Sequence, residues 1–259
     1  MAAYDIQVPG IGSVPVTVTE TGSGPVHLLL HGGAGPQSVQ EFAERYAREQ
    51  SVRVLTPVHP GFGGTPRPEA VATMGDLAEV YIALLDQLGL DEVTVIGNSI
   101  GGWITAEIAS RGSDRLAAAV LVCAVGLEVP GVTPVDFFGL RLDEIADYSY
   151  HRPDAFRIDP STFTPQQVEA MAGNRISLQV YGGERMTDPT LTERLAAVTV
   201  PVLVISGVSD RIALPEVGRA FAAAIPGARY ELLPETGHLP QLETPEQLVK
   251  VLAAFGTGK

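Results

Sequence analysis

The chain has 259 residues, 45% apolar and 18% charged, enough for one large domain or at most two small ones with a substantial core. Thirty acidic against 17 basic residues give a formal charge of −13, which repels polyphosphate and anionic lipid and excludes nucleic acid and membrane as expected partners. No apolar run approaches the roughly 20 residues that span a bilayer, the start Met1-Ala2-Ala3-Tyr4-Asp5 lacks a secretory pattern, and a soluble cytoplasmic protein is expected.

In chain order, Ile6 to Val8 and Pro15 to Thr19 flank Gly10-Ile11-Gly12 and predict an antiparallel hairpin at a sheet edge. Val26 to Leu30 is the first buried strand. Val52 to Thr56, Val93 to Ile96, Ala119 to Val122 and Val202 to Ile205 repeat its character, and runs apolar on both faces are what a parallel central sheet requires. Tyr230 to Leu233 is the last predicted strand. Met74 to Leu88 places apolar residues at 77, 80, 81, 84, 85 and 88, a helical stripe that ends against Gly89. Ile100 to Arg111, Pro215 to Ala224 and Pro245 to Phe255 are the other predicted helices, two of them opening on a Pro suited to a first turn. Alternating strands and helices specify an α/β layer fold with right-handed crossovers. The single cysteine, Cys123, can make neither an internal disulfide nor a multi-cysteine metal site, and its apolar surroundings place it in the core.

The alternation breaks between Ala124 and Val202, where some 70 residues hold no buried strand, far more than an ordinary connection. The expected organisation is a core of residues 1–124 and 196–259 with a helical cap inserted over residues 125–195. Residues 136 to 181 carry seven of the chain's 16 aromatic side chains, among them Phe137 and Phe138, and these either anchor the insertion or line a substrate site.

Three segments suggest chemistry. Gly97-Asn98-Ser99-Ile100-Gly101-Gly102 lies between a predicted strand and a predicted helix, with glycine two residues before and after the serine. A turn that tight projects Ser99 clear of the sheet at a helix N-terminus, where developing negative charge is favoured. A serine hydroxyl needs a base, and the base an orienting acid. Asp210 follows the strand ending at Ile205 and His238 follows the last strand, so both fall on the same sheet edge as Ser99. Third, Leu30-His31-Gly32-Gly33-Ala34-Gly35-Pro36 follows the first buried strand. Its Gly33 N–H and the Ile100 N–H can face an oxyanion.

The order Ser, Asp, His with a glycine-rich first loop resembles the α/β-hydrolase superfamily over essentially the whole chain. His59-Pro60-Gly61-Phe62-Gly63-Gly64-Thr65 is similar to its loop after the fourth strand, and Gly237-His238-Leu239-Pro240-Gln241-Leu242-Glu243-Thr244-Pro245 to its histidine segment. The resemblance implies that fold, with a mostly parallel sheet, helices on both faces and an inserted cap. It implies Ser99 as nucleophile, His238 as general base then acid, Asp210 as its orienting partner, Gly33 and Ile100 as oxyanion donors, and no metal or cofactor. His59 is read as structural. Asn98, Phe137, Phe138 and Leu239 are the expected substrate contacts.

Asn98 and the His31–Pro36 loop are similar to the carbon–carbon bond hydrolases that cleave ring-fission products of aromatic degradation. Those relatives carry a tryptophan after the histidine and a cap arginine for the dienoate carboxylate. Here Leu239 follows His238, and Met171 stands where that arginine is expected, with Arg175 one helical turn on. An ester hydrolase of small apolar substrates therefore ranks first, a carbon–carbon hydrolase second, and a ligand-binding member with slow or absent turnover third. The partner expected in each case is a small molecule, and the sequence leaves a homo-oligomer open.

Overall fold

A computed structural model describes residues 1–256; the last three residues of the expected core lie outside the described residues. The chain opens with a hairpin of β1 (Ala2–Val8) and β2 (Gly12–Gly22), then β3 (Val26–Leu30), α1 (Gln37–Gln50), β4 (Arg53–Pro57), α2 (Met74–Gln87), β5 (Val93–Asn98), α3 (Ile100–Ser110) and β6 (Leu116–Val122). Between β6 and the next long strand lie β7 (Gly126–Leu127), α4 (Ile145–Ser149), α5 (Pro153–Phe156), α6 (Pro165–Gly182), β8 (Thr187–Asp188) and α7 (Leu191–Leu195). The chain then completes its sheet with β9 (Val202–Gly207), α8 (Pro215–Ala224) and β10 (Arg229–Leu233), and ends in α9 (Pro240–Glu243) and α10 (Pro245–Gly256).

Eight strands form one sheet in the order β1-β2-β4-β3-β5-β6-β9-β10, and β2 alone runs against its neighbours. This is the α/β-hydrolase arrangement that the sequence resembles. Side chains alternate between the two faces, as the pleat demands. Leu28, Leu30, Val95, Leu121 and Val204 pack on one face with α2, α3 and Phe221 of α8, while Leu29, Ile96, Val120, Leu203 and Ile205 pack on the other with α1 and Leu248 and Leu252 of α10. Runs apolar at every position follow from helices covering both faces.

The hairpin strands are longer than predicted, because β1 exposes alternate residues and only Ile6 and Val8 are fully buried. Helix α1 was not predicted. Its buried side (Val39, Phe42, Ala43, Tyr46, Ala47) is interrupted by Glu41, Glu44 and Arg45, so the stripe is narrow against a polar background. A buried charge ties α7 and the residues just before it to α3. Glu107, 2% exposed, accepts from Arg111 and Arg194 at 2.6 Å each, and Arg194 also holds Asp188 at 2.7 Å.

Candidate active site

Four strand ends converge because β3, β5, β6, β9 and β10 are parallel and in register. Leu30 pairs Gly97, Asn98 pairs Val122, Val122 pairs Ile205 and Gly207 pairs Leu233. The loops that follow carry Gly33, Ser99, Asp210 and His238 to the carboxyl edge, where open α/β sheets place their sites.

Ser99 sits at φ 57°, ψ −116°, a conformation that side-chain-bearing residues rarely hold, and is 8% exposed. The flanking glycines make it fit. A methyl group on Gly97 would run into the carbonyl of Gly101, and one on Gly101 into the carbonyl of Leu30. The turn is further held by Ser99 N–H donating to Val122 O at 2.9 Å and Trp103 N–H to Ser99 O at 3.1 Å. Ile100 opens α3, so its N–H has no carbonyl one turn earlier to bond. Among the described residues, neither that N–H nor Gly33 N–H is spent on a protein acceptor.

Asp210 is 1% exposed and its two oxygens have separate tasks. Oδ1 accepts from Ile212 and Ala213 N–H at 2.8 and 2.9 Å, while Oδ2 accepts from His238 Nδ1 at 2.8 Å. A carboxylate there draws the ring proton to Nδ1 and leaves the Nε2 lone pair free, which is the tautomer a base requires. Cys123 adjoins this pair, with ligand atoms of the three within 4.8 Å of one another. Burial, then the charge of Asp210, push its thiol well up, so it keeps its proton at neutral pH and is poorly suited to metal ligation.

Asn98 borders the site, yet its amide faces inward. Nδ2 donates to His238 O at 2.9 Å and Val122 O at 3.3 Å, and Oδ1 accepts from Gln241 Nε2 at 3.1 Å. Its hydrogen bonds thus brace the histidine turn, while the residue also borders the cavity over Ser99.

The His31 and His59 loops are locked by an unbroken series of hydrogen bonds. His59 N–H donates to His31 Nε2 at 3.1 Å, so His31 carries its proton on Nδ1 and donates to Gly32 O at 2.7 Å. His59 Nε2 donates to His31 O at 2.9 Å, which leaves Nδ1 to accept the Tyr81 hydroxyl. Both rings are fully buried. Burial, opposed by its bond to His31, lowers the His59 pKa from 6.5 to about 4; burial and then His59 push His31 well below its ordinary value. Burial also lowers His27 to about 4.

These folded-state values lie under the unfolded ones, so the unfolded chain binds more protons in between. The stability contribution is complete above pH 6.5 and is lost as pH falls towards 4. A shift of this size corresponds to about 3 kcal/mol for one buried ring. The melting temperature should therefore decline steadily across that window, and a flat profile would show that the rings are already charged in the native state.

A cavity of about 540 Å³ opens over Ser99, bordered by Gly33, Asn98, Ile100, His238 and Leu239 from the sheet edge and by residues 125–187 from above. Most of its wall is apolar, including Leu127, Phe137, Leu140, Met171 and Leu178; Arg175 and Arg185 are the arginines that border it. Phe137 lies on the wall, whereas Phe138 lies behind it. Its carbonyl accepts from the Arg175 guanidinium, which faces the Phe137 and Phe138 rings at 5.8 and 5.6 Å. Helix α6 is anchored to the 59–65 loop by Asn174 accepting from Gly63 N–H at 2.8 Å and Tyr181 donating to Pro60 O at 2.9 Å.

Gln241 and Glu243, which carry no expected role in the histidine segment, are part of the hydrogen-bond network of the histidine turn. Both are buried polar residues in the segment after His238, and the signal available was their place on the otherwise apolar approach to α10. Glu243 accepts Gly237 N–H at 2.7 Å.

Strained serine, paired imidazole and carboxylate, and a glycine loop at one edge of a mostly parallel sheet define the hydrolase class of enzyme. The chain belongs to the alpha/beta hydrolase family, whose profile matches residues 28–251. It is similar to a 2-hydroxymuconate semialdehyde hydrolase of Pseudomonas putida, 27% identical over 91% of this chain and 88% of that one. A 2-hydroxy-6-oxononadienedioate/2-hydroxy-6-oxononatrienedioate hydrolase of Burkholderia vietnamiensis is 26% identical over 93% and 90% of the two chains. Among solved structures, a thermophilic esterase from Thermogutta terrifontis superposes with a TM-score of 0.76 at 24% identity, covering 98% of both chains. At that identity the likeness shows the fold alone. Among the described residues no helix is long and apolar enough to cross a membrane.

Proposed function

We propose that this hydrolase cleaves carboxylic esters of small apolar substrates through an acyl-enzyme on Ser99. His238 Nε2 takes the hydroxyl proton as Ser99 Oγ attacks the ester carbonyl, and the oxyanion is received by the Gly33 and Ile100 N–H groups. The C–O bond then breaks and His238 returns the proton to the departing alcohol. Water, deprotonated by the same ring, hydrolyses the acyl-enzyme and restores the serine. Asp210 holds the tautomer throughout. Residues 125–195 act as the cap over the substrate, with Phe137 and Leu239 among its contacts, and the substrate is the expected small-molecule partner.

The observation that carries the ester reading is the cavity wall over Ser99: apolar, with Arg175 committed to the Phe138 carbonyl and Met171 one turn before it. Burying acyl or aryl surface there gains about 25 cal/mol per Å². A carbon–carbon hydrolase is the second reading, favoured by the two relatives of that activity. A panel of aryl esters of increasing acyl length, run beside a ring-fission dienone, separates them. Ester turnover well above dienone turnover is expected; the reverse order would overturn the ester reading.

A further inference from the structure

Glu243 is 6% exposed and, among the described residues, has no cationic partner. Its carboxylate instead accepts three backbone N–H groups. Oε2 receives Gly237 at 2.7 Å and His151 at 3.1 Å, and Oε1 receives Arg152 at 2.9 Å. A buried anion is tolerated only with such bonding. What matters is where the donors come from: two lie between α4 and α5 in the insertion, and the third immediately precedes His238.

Other main-chain bonds run alongside. His238 N–H donates to Ser149 O at 2.6 Å, and Arg211 N–H donates to Tyr148 O at 3.0 Å. A side chain on Gly237 would collide with the Ser149 carbonyl, so the two strands of chain are in direct contact there. The insertion arm, the histidine turn and the loop bearing Asp210 are thus one hydrogen-bonded unit, with the Glu243 carboxylate joining arm and turn. Ser149 and His238 both border the cavity over Ser99.

We propose that Glu243 is a positioning residue for His238, making the placement of the imidazole depend on the seating of the 148–152 arm. This rests on the reading of His238 as the base. In Glu243→Ala, the Gly237, His151 and Arg152 N–H groups all lose their acceptor, and the histidine turn is left tied to the arm, among the described residues, by the His238 N–H to Ser149 O bond alone. A displacement of about 1 Å costs on the order of 10²-fold in rate, so kcat should fall by that amount with a smaller change in KM. Glu243→Gln can keep an oxygen on Gly237 and His151 but must turn its NH2 from the Arg152 N–H, which loses its acceptor, so kcat should fall by much less than in the alanine variant.

The deciding experiment pairs these kinetics with the downfield proton resonance of the His238 Nδ1–H bonded to Asp210. That signal needs no turnover. Expected are its loss or broadening in Glu243→Ala and its near-normal position in Glu243→Gln. If the alanine variant does not fold, Glu243→Asp, which withdraws the carboxylate by one methylene, carries the same expectation. A folded alanine or aspartate variant with a lower melting temperature but unchanged resonance and kcat would overturn the proposal. A resonance lost on substitution in a protein whose wild type hydrolyses no ester or dienone would keep the positioning role and overturn the functional reading alone.

Discussion

Substituting Ser99 with alanine is expected to lower kcat towards an activated aryl ester by about six orders of magnitude, the scale of losing a nucleophile from a serine triad. The fold should survive, because the hydroxyl is not the group that holds the turn. The backbone bonds of Ser99 to Val122 and Trp103 remain, as does the clearance provided by Gly97 and Gly101. Alanine must still occupy the strained φ of 57°, so the melting temperature should change little in either direction. A fluorophosphonate probe should label the wild type at Ser99 and leave the variant untouched. Turnover at the wild-type rate would remove Ser99 from the mechanism; wild-type protein that resists the probe would favour a ligand-binding member of the family.

Asp210→Asn should cost about 10⁴ in kcat with the fold intact, and the structure gives the reason. Oδ1 receives two N–H groups, from Ile212 and Ala213, and only an oxygen can accept them. The carboxamide oxygen must therefore take the Oδ1 position, which turns the NH2 towards His238 Nδ1. Two donors cannot face each other, so the ring proton moves to Nε2 and the lone pair needed by Ser99 disappears. The charge that would stabilise the imidazolium is lost as well. Kinetics together with the nitrogen chemical shifts of His238 test this directly; a variant that keeps Nδ1 protonated, or turns over at the wild-type rate, would refute the assignment of Asp210.

The parts of this molecule legible from sequence share one property: their signals are local. Buried parallel strands are apolar on both faces, so β3, β5, β6 and β9 could be read from runs of four or five residues. The tight turn at Ser99 was readable for the same reason, since the Gly101 and Leu30 carbonyls leave no room for a side chain at 97 or 101. Helix α1, with acidic and basic residues breaking its narrow buried side, escaped local reading.

The sequence by itself determined the class of fold and the sheet edge on which Ser99, Asp210 and His238 lie, because strand direction and loop position follow from chain order. Only the tertiary structure decided where the polar side chains point. Asn98 borders the cavity and also braces the His238 carbonyl, while Phe138 is outside the lining and supplies its carbonyl to Arg175. The Glu243 carboxylate gathers donors from positions 151, 152 and 237. Such contacts join residues up to 140 positions apart. Their partners are set by how loops pack over the sheet edge, and no periodicity or short spacing along the chain encodes that packing.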